Sequence, residues 1–564
     1  MNTENIKRSL IDAASARVKA DLVFKNVNYL NVFTNTFSKA DVAICGATIA
    51  GVGEYSGEKE IDCDGKALVP GFIDSHIHLE SSIITPPSFA RAVVPHGTTA
   101  VITDPHEITN VMGCDGIDYM LEATANLPID VFFAVSSCVP ASPFDENGAH
   151  ITIAEIEKYI TNPRVIGLAE LMNYPAATAG DPTVLKMIDI AQSYGKIVDG
   201  HAPRLRGKLL NAYVAAGVDS DHECSELSEA YEKLSLGQYI MIRQGTAGRN
   251  LEALIPLLKG EAYTRCIFAT DDKHPGELAI NGHIDYIIRK AILLGVRPEI
   301  AYKVASFNAC EYVGLKRRGA IAPGFKADLV LLDDIDDVRI SSVYKDGVEL
   351  EFPLKLTGEN VSNELRVKAL NTMHVDKIQP ADLQTKKPSE KVIGLIGGEI
   401  ITTEEGEATG IDVDNDILKA CVVERHKNTG HIGVCYVKGY GLKSGAVATS
   451  VAHDSHNIIA IGASDEDLST AINAVIDMGG GMTVVNNGKL LHSLSLNIAG
   501  LMTELPIEEV IESLAELKEG AYSLGVNDDI DPFMTLSFIS LPVIPSLKLT
   551  TLGVVDVNKF ELLK

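Results

Sequence analysis

The chain has 564 residues, of which 46% are hydrophobic and 22% are charged, so it can build two or three folded domains. Its formal net charge of -27 argues against a nucleic-acid polymer or an anionic membrane as partner, but not against a neutral heterocycle in a buried pocket. Nine scattered cysteines without a C-x-x-C pair are typical of free thiols in a reducing compartment. The N-terminal stretch mixes acids and bases without an apolar core, so we expect a cytoplasmic protein.

The first predicted elements are an amphipathic helix and a group of short strands. DLVFKNVNYLNVF, KADVAICGATIAGVG and KEIDCDGKALVP alternate apolar and polar residues between Gly and Asp turns, as half-buried strands do. A similar pattern returns in residues 324–350. We therefore predict that residues 1–69 and 318–373 form one small β-sandwich domain, interrupted by a long insert.

The insert changes rhythm, because short apolar strands there alternate with helical stretches. Eight strands are predicted, in ALVPGFIDSHIH, TTAVITDP, IDVFFAVSS, RVIGLAEL, KIVDGHA, VDSDHE, YIMIRQG and RCIFATDD. Eight strand–helix units over roughly 250 residues are the signature of a (β/α)₈ TIM-like barrel. The fold class predicted for residues 70–317 is therefore an α/β barrel, with a doubly wound open sheet as the alternative.

A polar, Lys- and Pro-containing stretch over residues 374–391 predicts a linker. Beyond it, residues 390–564 combine strand patterns with two amphipathic helices, in DEDLSTAINAVIDMGG and PIEEVIESLAELKEGAYSLG. We predict a C-terminal α+β domain for this part.

Polar residues end several of the predicted barrel strands, and these ends meet at the mouth where barrel active sites lie. They are His76 and His78 on strand one, Glu170 on strand four, His201 on strand five, His222 on strand six and Asp271 on strand eight. Each residue alone fits an ordinary polar strand end. His76 and His78 are two apart on one strand, so their imidazoles point the same way. All six residues in order at one mouth predict a metal site.

Four imidazoles and two carboxylates suit two divalent cations, and a carboxylate can bridge such a pair. Two cations about 3.5–4 Å apart lower the pKa of a bridging hydroxide from about 15.7 toward about 7 and supply a nucleophile at neutral pH. The six residues thus predict metal-dependent hydrolysis.

PGFIDSHIHLESS resembles the opening motif of the amidohydrolase superfamily, and GAIAPGFKADLVLLD resembles its return into the small sandwich. The resemblance implies one metal on His76, His78 and Asp271, a second on His201 and His222, and Glu170 as bridge. Hydantoinase-like and dihydroorotase-like members carry a carbamylated lysine at the bridge, so Glu170 counts against those subgroups.

Longer motifs, among them HGTTAVITDPHEITNVMG, GLAELMNYP, TDDKHP and VAHDSHNIIAIG, resemble the adenine deaminase family. RQGTAGRNL departs modestly from that family's usual pattern. The resemblance implies hydrolytic deamination of adenine to hypoxanthine and ammonia in purine salvage, by a metal-bridged hydroxide. It also favours Mn(II) or Fe(II), although Zn(II) suits the same ligands. A homo-oligomer is expected because it is the common case.

Several residues are candidates for proton transfer or substrate binding. Asp271 is the expected general base, with Asp272 as the fallback. Strand alternation would place the two side chains on opposite faces, so only one of them should bind metal. Glu80 points into the mouth as a proton donor or, equally, as a solvated acid. His106 binds substrate or, with Asp104, caps a helix start. His274 is a further candidate at the mouth. His96 lies on the opposite face of the barrel and is expected to be structural.

In the C-terminal domain, the cluster around His453 and His456 interrupts an apolar strand pattern. Its ordinary interpretation is a turn. The functional interpretation is a loop over the barrel mouth or a further metal site, and the resemblance favours function.

Two other functions compete with the main prediction. One is another amidohydrolase, such as a cytosine or guanine deaminase or a cyclic amidohydrolase acting on a different heterocycle. The other is a non-enzymatic scaffold, against which the six retained ligand residues argue.

Overall fold

Three packed parts make up the computed structural model, which describes residues 3–246, 248–356, 360–385 and 387–563. Met1, Asn2 and Lys564, at the outer limits of the predicted domains, lie outside the described residues, as does Lys386 in the predicted linker. Among the described residues, no helix combines the length and the apolar character needed to cross a bilayer.

The N-terminal part is a helix and a mixed sheet. Helix α1 spans Thr3–Ala14, and strands β1 to β5 span Ala20–Asn31, Thr36–Cys45, Thr48–Gly53, Gly57–Asp62 and Ala67–Pro70. β2 is antiparallel to β1, whereas β4 and β5 run parallel to it. Neighbouring side chains of a strand face opposite sides, and both Val23 and Phe24 are buried, in separate hydrophobic clusters. The sheet is therefore covered on both faces.

The predicted barrel is present, with all eight strands where the sequence indicates them. Strands β6 to β13 span Phe72–Ile77, Thr98–Thr103, Asp130–Val135, Val165–Leu171, Ile197–Gly200, Ser220–Asp221, Tyr239–Arg243 and Cys266–Ala269. Helices α2 to α14 span Pro86–Val93, His106–Met112, Cys114–Ala123, Ile153–Ile160, Tyr174–Ala179, Pro182–Ser193, Gly207–Ala215, Leu227–Ser235, Leu251–Lys259, Pro275–Asn281, Ile284–Leu293, Pro298–Val304 and Phe307–Val313.

Parallel pairing closes these strands into a ring. β6 to β10 pair in succession, and β11 to β13 do the same. A parallel bridge between Ile77 and Asp271 joins the last strand to the first, and the Asp219 amide donates to the Val198 carbonyl at 2.9 Å across the other junction. Every residue of β6, β7 and β9 is buried, as expected for parallel strands covered by helices. The fold-class prediction is confirmed.

After the barrel the chain returns to the first sheet. Strands β14 to β16 span Leu329–Asp334, Arg339–Lys345 and Val348–Glu349. β14 pairs antiparallel with β5, which completes an eight-stranded sheet from both sides of the insert. Helix α15, Asn363–Ala369, instead packs against the barrel helix α4. The limits proposed for the small domain, 1–69 plus 318–373, stay a prediction.

The C-terminal part is built on a second eight-stranded sheet and a small three-stranded one. Strands β17 to β27 span Glu390–Leu395, Thr402–Ala408, Leu418–Val423, Ile432–Lys438, Ala446–Thr449, Ile458–Gly462, Gly481–Asn486, Lys489–Ser495, Leu547–Thr550, Gly553–Asp556 and Glu561–Leu562. Helices α16 to α18 span Asp465–Asp477, Ile507–Ser523 and Pro532–Ile539. Inside the predicted linker, a 3₁₀ turn over Pro380–Leu383 packs against α16.

A half-buried ion cluster joins the small sheet to the barrel at Asp130, the first residue of β8. Its Oδ2 atom accepts hydrogen bonds from Arg318 Nη1 at 2.5 Å, Lys326 Nζ at 2.9 Å and Lys345 Nζ at 2.6 Å. Burial works to raise the pKa of Asp130, but these cations outweigh it and hold the pKa well below its usual range. The carboxylate is therefore a stabilising contact between the two parts.

Asp130→Asn should lower the unfolding free energy by about 1–3 kcal/mol at pH 7, because it weakens hydrogen bonds to charged groups. The folded-state pKa lies below the unfolded value of about 3.9. The stabilisation is thus present above about pH 4 and is lost as the pH falls through the folded-state value. Thermal unfolding at pH 7 measures the loss in the variant, and the decline of wild-type stability from about pH 4 to about pH 2 measures the onset of the pH effect.

Asp64→Asn is the matched control, since Asp64 pairs with Lys39 but both side chains are more than 60% exposed. It should leave the midpoint of thermal unfolding at the wild-type value, because an exposed ion pair contributes little to stability. Equal effects of the two substitutions would contradict the assignment of Asp130 as a structural anchor.

Candidate metal centre

The six predicted ligand residues converge at the carboxyl ends of the barrel strands. His76 lies in β6 and Glu170 in β9; His78, His201, His222 and Asp271 follow β6, β10, β11 and β13 within two residues. All six side chains are at least four-fifths buried. The expected convergence of the strand ends therefore places the whole set in one site.

Glu170 lies at the centre of the site. Its Oε2 atom lies 2.7 Å from His201 Nδ1 and 3.2 Å from His222 Nε2. Its Oε1 atom lies 3.4 Å from His78 Nε2 and 3.9 Å from His76 Nε2. Each carboxylate oxygen thus faces one pair of the predicted ligand imidazoles, which is the position that a bridging ligand occupies.

Asp271 faces the first pair. Its Oδ1 atom lies 3.2 Å from His78 Nε2 and 3.9 Å from His76 Nε2, and its Oδ2 atom pairs with Arg243. Its amide donates to the His76 carbonyl at 2.9 Å, and its backbone φ of 61° is uncommon for a residue other than glycine. The backbone turn, rather than a regular strand, orients this side chain.

The donor set fits divalent cations by its spacing. Ligand atoms about 2.0–2.1 Å from a tetrahedral cation lie about 3.3 Å apart, and the contacts from His76 and His78 to both carboxylates measure 3.2–3.9 Å. His76 Nε2, which faces both carboxylates, is buried without a hydrogen-bond partner among the described residues. Buried ring nitrogens without partners are unusual unless a ligand or ion serves them.

The charge balance also calls for cations. Burial works to raise the pKa of Glu170 and of Asp271, yet neighbouring cationic groups hold both pKa values well below the usual range. Burial works to lower the pKa of His201 and of His78, but adjacent carboxylates outweigh it. They raise the pKa of His201 to about 9 and hold that of His78 well above its usual value. Without metal, protons supply the positive charge that the two carboxylates require.

Asp104 orients two imidazoles beside this set. Its carbonyl oxygen lies 3.0 Å from His78 Nδ1, which fixes the ring with Nε2 toward Glu170. Its carboxylate lies 2.9 Å from His106 Nδ1, and that nitrogen is 3.5 Å from Glu170 Oε1. Helix α3 begins at His106 without a side-chain cap. Asp104 therefore acts on imidazoles, and the helix-cap interpretation is wrong.

Two further candidates, Glu80 and Asp272, line the mouth. Glu80 is 2% exposed, its Oε1 atom accepts from the Ile108 amide at 3.2 Å, and burial raises its pKa to about 7; it is not a solvated acid. Asp272 Oδ1 accepts from Ser81 Oγ at 2.5 Å. Since β13 ends at Ala269, strand alternation does not separate Asp272 from its neighbour, contrary to the prediction.

His274 begins the turn before α11, where its amide donates to Thr246 Oγ1 at 3.0 Å. Burial lowers its pKa to about 4, so it is a neutral imidazole. His96 contacts Asp285 Oδ2 at 3.1 Å, in the turn that precedes β7 at the opposite end of the strands.

His453 and His456 belong to a loop of the C-terminal part that reaches the barrel. His453 Nδ1 lies 2.7 Å from Glu107 Oε1, and His456 Nε2 pairs with Glu107 Oε2. Glu107 in turn lies 3.4 Å from His106 Nε2. The loop is thus a contact over the barrel mouth and not a remote turn.

Sequence reasoning missed Glu107, Glu223 and Arg243. Glu223 lies 3.4 Å from His222 Nε2 and accepts from Arg243 Nη1 at 2.7 Å. Arg243 is the last residue of β12. Its place at a strand end is the signal that could have identified it, as it did for the metal-ligating residues. Glu107 neighbours His106 in the TDPHE motif, but its partners come from another part of the chain.

Two family descriptions match the chain. The amidohydrolase family matches residues 67–350, and the adenine deaminase C-terminal domain matches residues 398–561. Together they cover the barrel with its flanking strands and most of the C-terminal part.

Similar full-length proteins carry one name. The adenine deaminase of Clostridium acetobutylicum is 44% identical over 563 residues, which cover 98% of this chain and 99% of that protein. The adenine deaminase of Desulfatibacillum aliphaticivorans is 44% identical over 566 residues, with 99% of each chain covered. Among solved structures, a β-aspartyl dipeptidase from Fervidobacterium islandicum AW-1 is 17% identical with a TM-score of 0.45, and the match covers 60% of this chain and 99% of that one.

A buried cation supports the loops that carry two of the ligands. Lys233 is fully buried, and its Nζ atom lies 3.0 Å from Asp221 Oδ2, 2.7 Å from Glu229 Oε1 and 2.7 Å from the Ala202 carbonyl. Asp221 precedes His222, and Ala202 follows His201. The Lys233 network therefore ties together the two segments that present the second pair of imidazoles.

Lys233→Met should destabilise the protein by about 3–5 kcal/mol, because it leaves two buried carboxylates without their cation. Thermal unfolding of the purified variant measures this, and metal content should fall with it. Lys158→Met is the control, since Lys158 is 62% exposed and its Nζ atom lies as far as 4.0 Å from the nearest carboxylate oxygen of its ion-pair partner Asp118. A Lys233 variant as stable as the wild type would refute the supporting role.

Proposed function

The chain belongs to the adenine deaminase family of amidohydrolases, and from this premise we propose how its residues carry out the reaction. Adenine is hydrolysed to hypoxanthine and ammonia at the mouth of the barrel. The observation that carries the residue assignment is the meeting of four imidazoles and two carboxylates around Glu170. Glu170 stands where hydantoinase-like and dihydroorotase-like members carry a carbamylated lysine, which argues against those subgroups.

His76, His78 and Asp271 would hold one divalent cation, and His201 and His222 the other, with Glu170 between them. When bound, such a pair of cations lowers the pKa of a water molecule toward about 7 and so supplies a nucleophile at neutral pH. Family resemblance favours Mn(II) or Fe(II). Imidazole and carboxylate ligands also accept Zn(II), since selectivity depends on geometry and supply.

Asp271 is the proposed proton carrier. Its Oδ1 atom faces the imidazole pair and its Oδ2 atom is held by Arg243, so the carboxylate is ionised and fixed toward the reacting atoms. It takes a proton from the attacking water and transfers it to the departing amine. Arg243 also binds Glu223, which keeps the guanidinium in place while Asp271 gains and loses charge.

Glu80 is the proposed donor to a ring nitrogen. A carboxyl group whose pKa lies near 7 holds a proton at neutral pH and can still release it. Its Oε2 atom is buried and has no partner among the described residues, which leaves that oxygen free for the substrate. Protonation of the ring at this point draws electrons from C6 and favours attack there.

We propose a cytoplasmic location and a homo-oligomeric assembly. Support for the location comes from the nine cysteines, all of them unpaired, because structural disulfides are rare in reducing compartments. The assembly is proposed on the general frequency of symmetric oligomers alone.

His76→Ala and Asp271→Asn should each lower adenine turnover by at least about 100-fold, because loss of an outer-shell partner alone costs about 10- to 100-fold. Ammonia release with added Mn(II) measures turnover, and metal analysis should give about two ions per wild-type chain. His96→Gln, at the other end of the strands, should retain turnover. Unchanged turnover in both ligand variants would refute the site.

Glu80→Gln should lower kcat by about 10²- to 10⁴-fold, the usual contribution of general acid catalysis. The amide cannot donate the carboxyl proton, but it matches the side chain in shape. Metal content should stay at the wild-type value, which separates a catalytic loss from a loss of metal. A kcat within about threefold of the wild type would show that another group protonates the substrate.

A further inference from the structure

Glu107 on helix α3 receives two imidazoles from the C-terminal loop. His453 Nδ1 and His456 Nε2 each contact one oxygen of its carboxylate, and Glu107 is 2% exposed. The loop is also fixed from within its own domain, because the fully buried Arg425 donates to the His456 carbonyl. We call Glu107, His453 and His456 the clamp.

Hydrogen bonds, not a third cation, account for the clamp. The 2.7 Å between His453 Nδ1 and Glu107 Oε1 is a hydrogen-bond length and is shorter than the roughly 3.3 Å between ligands of one tetrahedral cation. The Ala452 amide donates to His456 Nδ1 at 3.2 Å. That nitrogen is therefore the acceptor, and the proton of a neutral ring resides on Nε2, which donates to Glu107.

Asp454 lies between the two clamp histidines, and one oxygen of its carboxylate lacks a hydrogen-bond donor within the described part of the chain. It is 2% exposed, and Oδ2 is buried without a hydrogen-bond partner among the described residues. Its Oδ1 atom lies 3.9 Å from His106 Nε2, too far for a hydrogen bond. Burial raises its pKa to about 6; the charge of His106 lowers it, and that of Glu107 raises it. A buried carboxylate in this state is costly unless something donates to it.

The position of Asp454 relative to the metal centre indicates what that donor is. His106 contacts Glu170 at 3.5 Å on one side and faces Asp454 on the other. Asp454 is therefore one side chain removed from the bridging carboxylate. A purine whose C6 faces the metal ligands directs its five-membered ring away from them, and that ring carries an N–H donor.

We propose that the C-terminal domain completes the substrate site: Asp454 accepts a hydrogen bond from the five-membered-ring N–H of the purine. The clamp is the positioning device, since Glu107 fixes on the barrel the loop that carries Asp454. This inference rests on the proposed function, because it names a recognition contact for the same substrate. It also gives the C-terminal domain a direct part in the reaction.

The test compares Asp454→Ala and Asp454→Asn with the wild type in the full-length, metal-loaded protein. Calorimetry with unsubstituted purine and 9-methylpurine, which lack the leaving amine, measures binding without turnover. The wild type should bind purine more tightly than 9-methylpurine. Asp454→Ala should weaken purine binding and raise the KM for adenine about 10- to 150-fold, the loss of one hydrogen bond to a charged group. Its two purine affinities should become similar.

Glu107→Gln tests the clamp. It should raise the KM for adenine and weaken purine binding at least about 10-fold, with a smaller change in kcat and with the metal content unchanged. His431→Gln is the matched control: His431 lies 2.9 Å from Glu146 in another contact between the C-terminal domain and the barrel, but it is 51% exposed. It should retain wild-type KM and purine affinity.

Three results would overturn the inference. In the first, Asp454→Ala still prefers purine over 9-methylpurine by the same factor as the wild type. In the second, Asp454→Asn loses metal. In the third, the wild type binds a third equivalent of metal that Glu107→Gln does not bind. Each result can occur while the wild type still deaminates adenine. A wild type that binds purine through Asp454 but releases no ammonia from adenine would refute the proposed function and leave this contact intact.

Discussion

A buried carboxylate surrounded by imidazoles is the constraint on which the site depends. Glu170 lies within 3.9 Å of five histidines, and its charge is removed from water at the centre of a barrel mouth. Such a charge is stable only beside positive charge. Protons on the imidazoles provide it in the metal-free protein and divalent cations would provide it in the active one. The same requirement explains why Asp271 is held by Arg243.

The barrel and its ligand set were predictable because both follow from local pattern. Short apolar runs alternating with helices indicate parallel strands, and parallel strands deliver their carboxyl ends to one mouth. His76, Glu170 and His222 could therefore be grouped although they are far apart in the chain. The two halves of the first sheet were predictable for a related reason, since strand-like patterns flank the insert on both sides, and the largely buried strands β5 and β14 pair antiparallel.

The contacts that the sequence did not predict depend on tertiary packing or on local turns. Nothing in the periodicity around Glu107 indicates that His453 will meet it, because the two belong to different parts of the chain. Asp271 and Asp272 follow the end of β13, where a positive φ replaces strand alternation, so their directions could not be deduced from period two. Arg243 also ends a barrel strand, but a guanidinium is not a metal ligand, so a pattern of metal-ligating residues does not include it.

The C-terminal domain also determines the electrostatics of the barrel mouth. Besides the clamp, its Thr503 amide donates to the Ile83 carbonyl at 2.9 Å, next to the turn that carries Glu80. A barrel alone leaves its mouth open to water, whereas here Glu80 and Asp454 are each 2% exposed. Removal of water raises the pKa of both carboxyl groups and strengthens every hydrogen bond offered to the substrate. Because the packing that orients the loop also excludes the water, the proposed recognition contact of Asp454 and the proposed proton donation by Glu80 depend on one interface between the two domains.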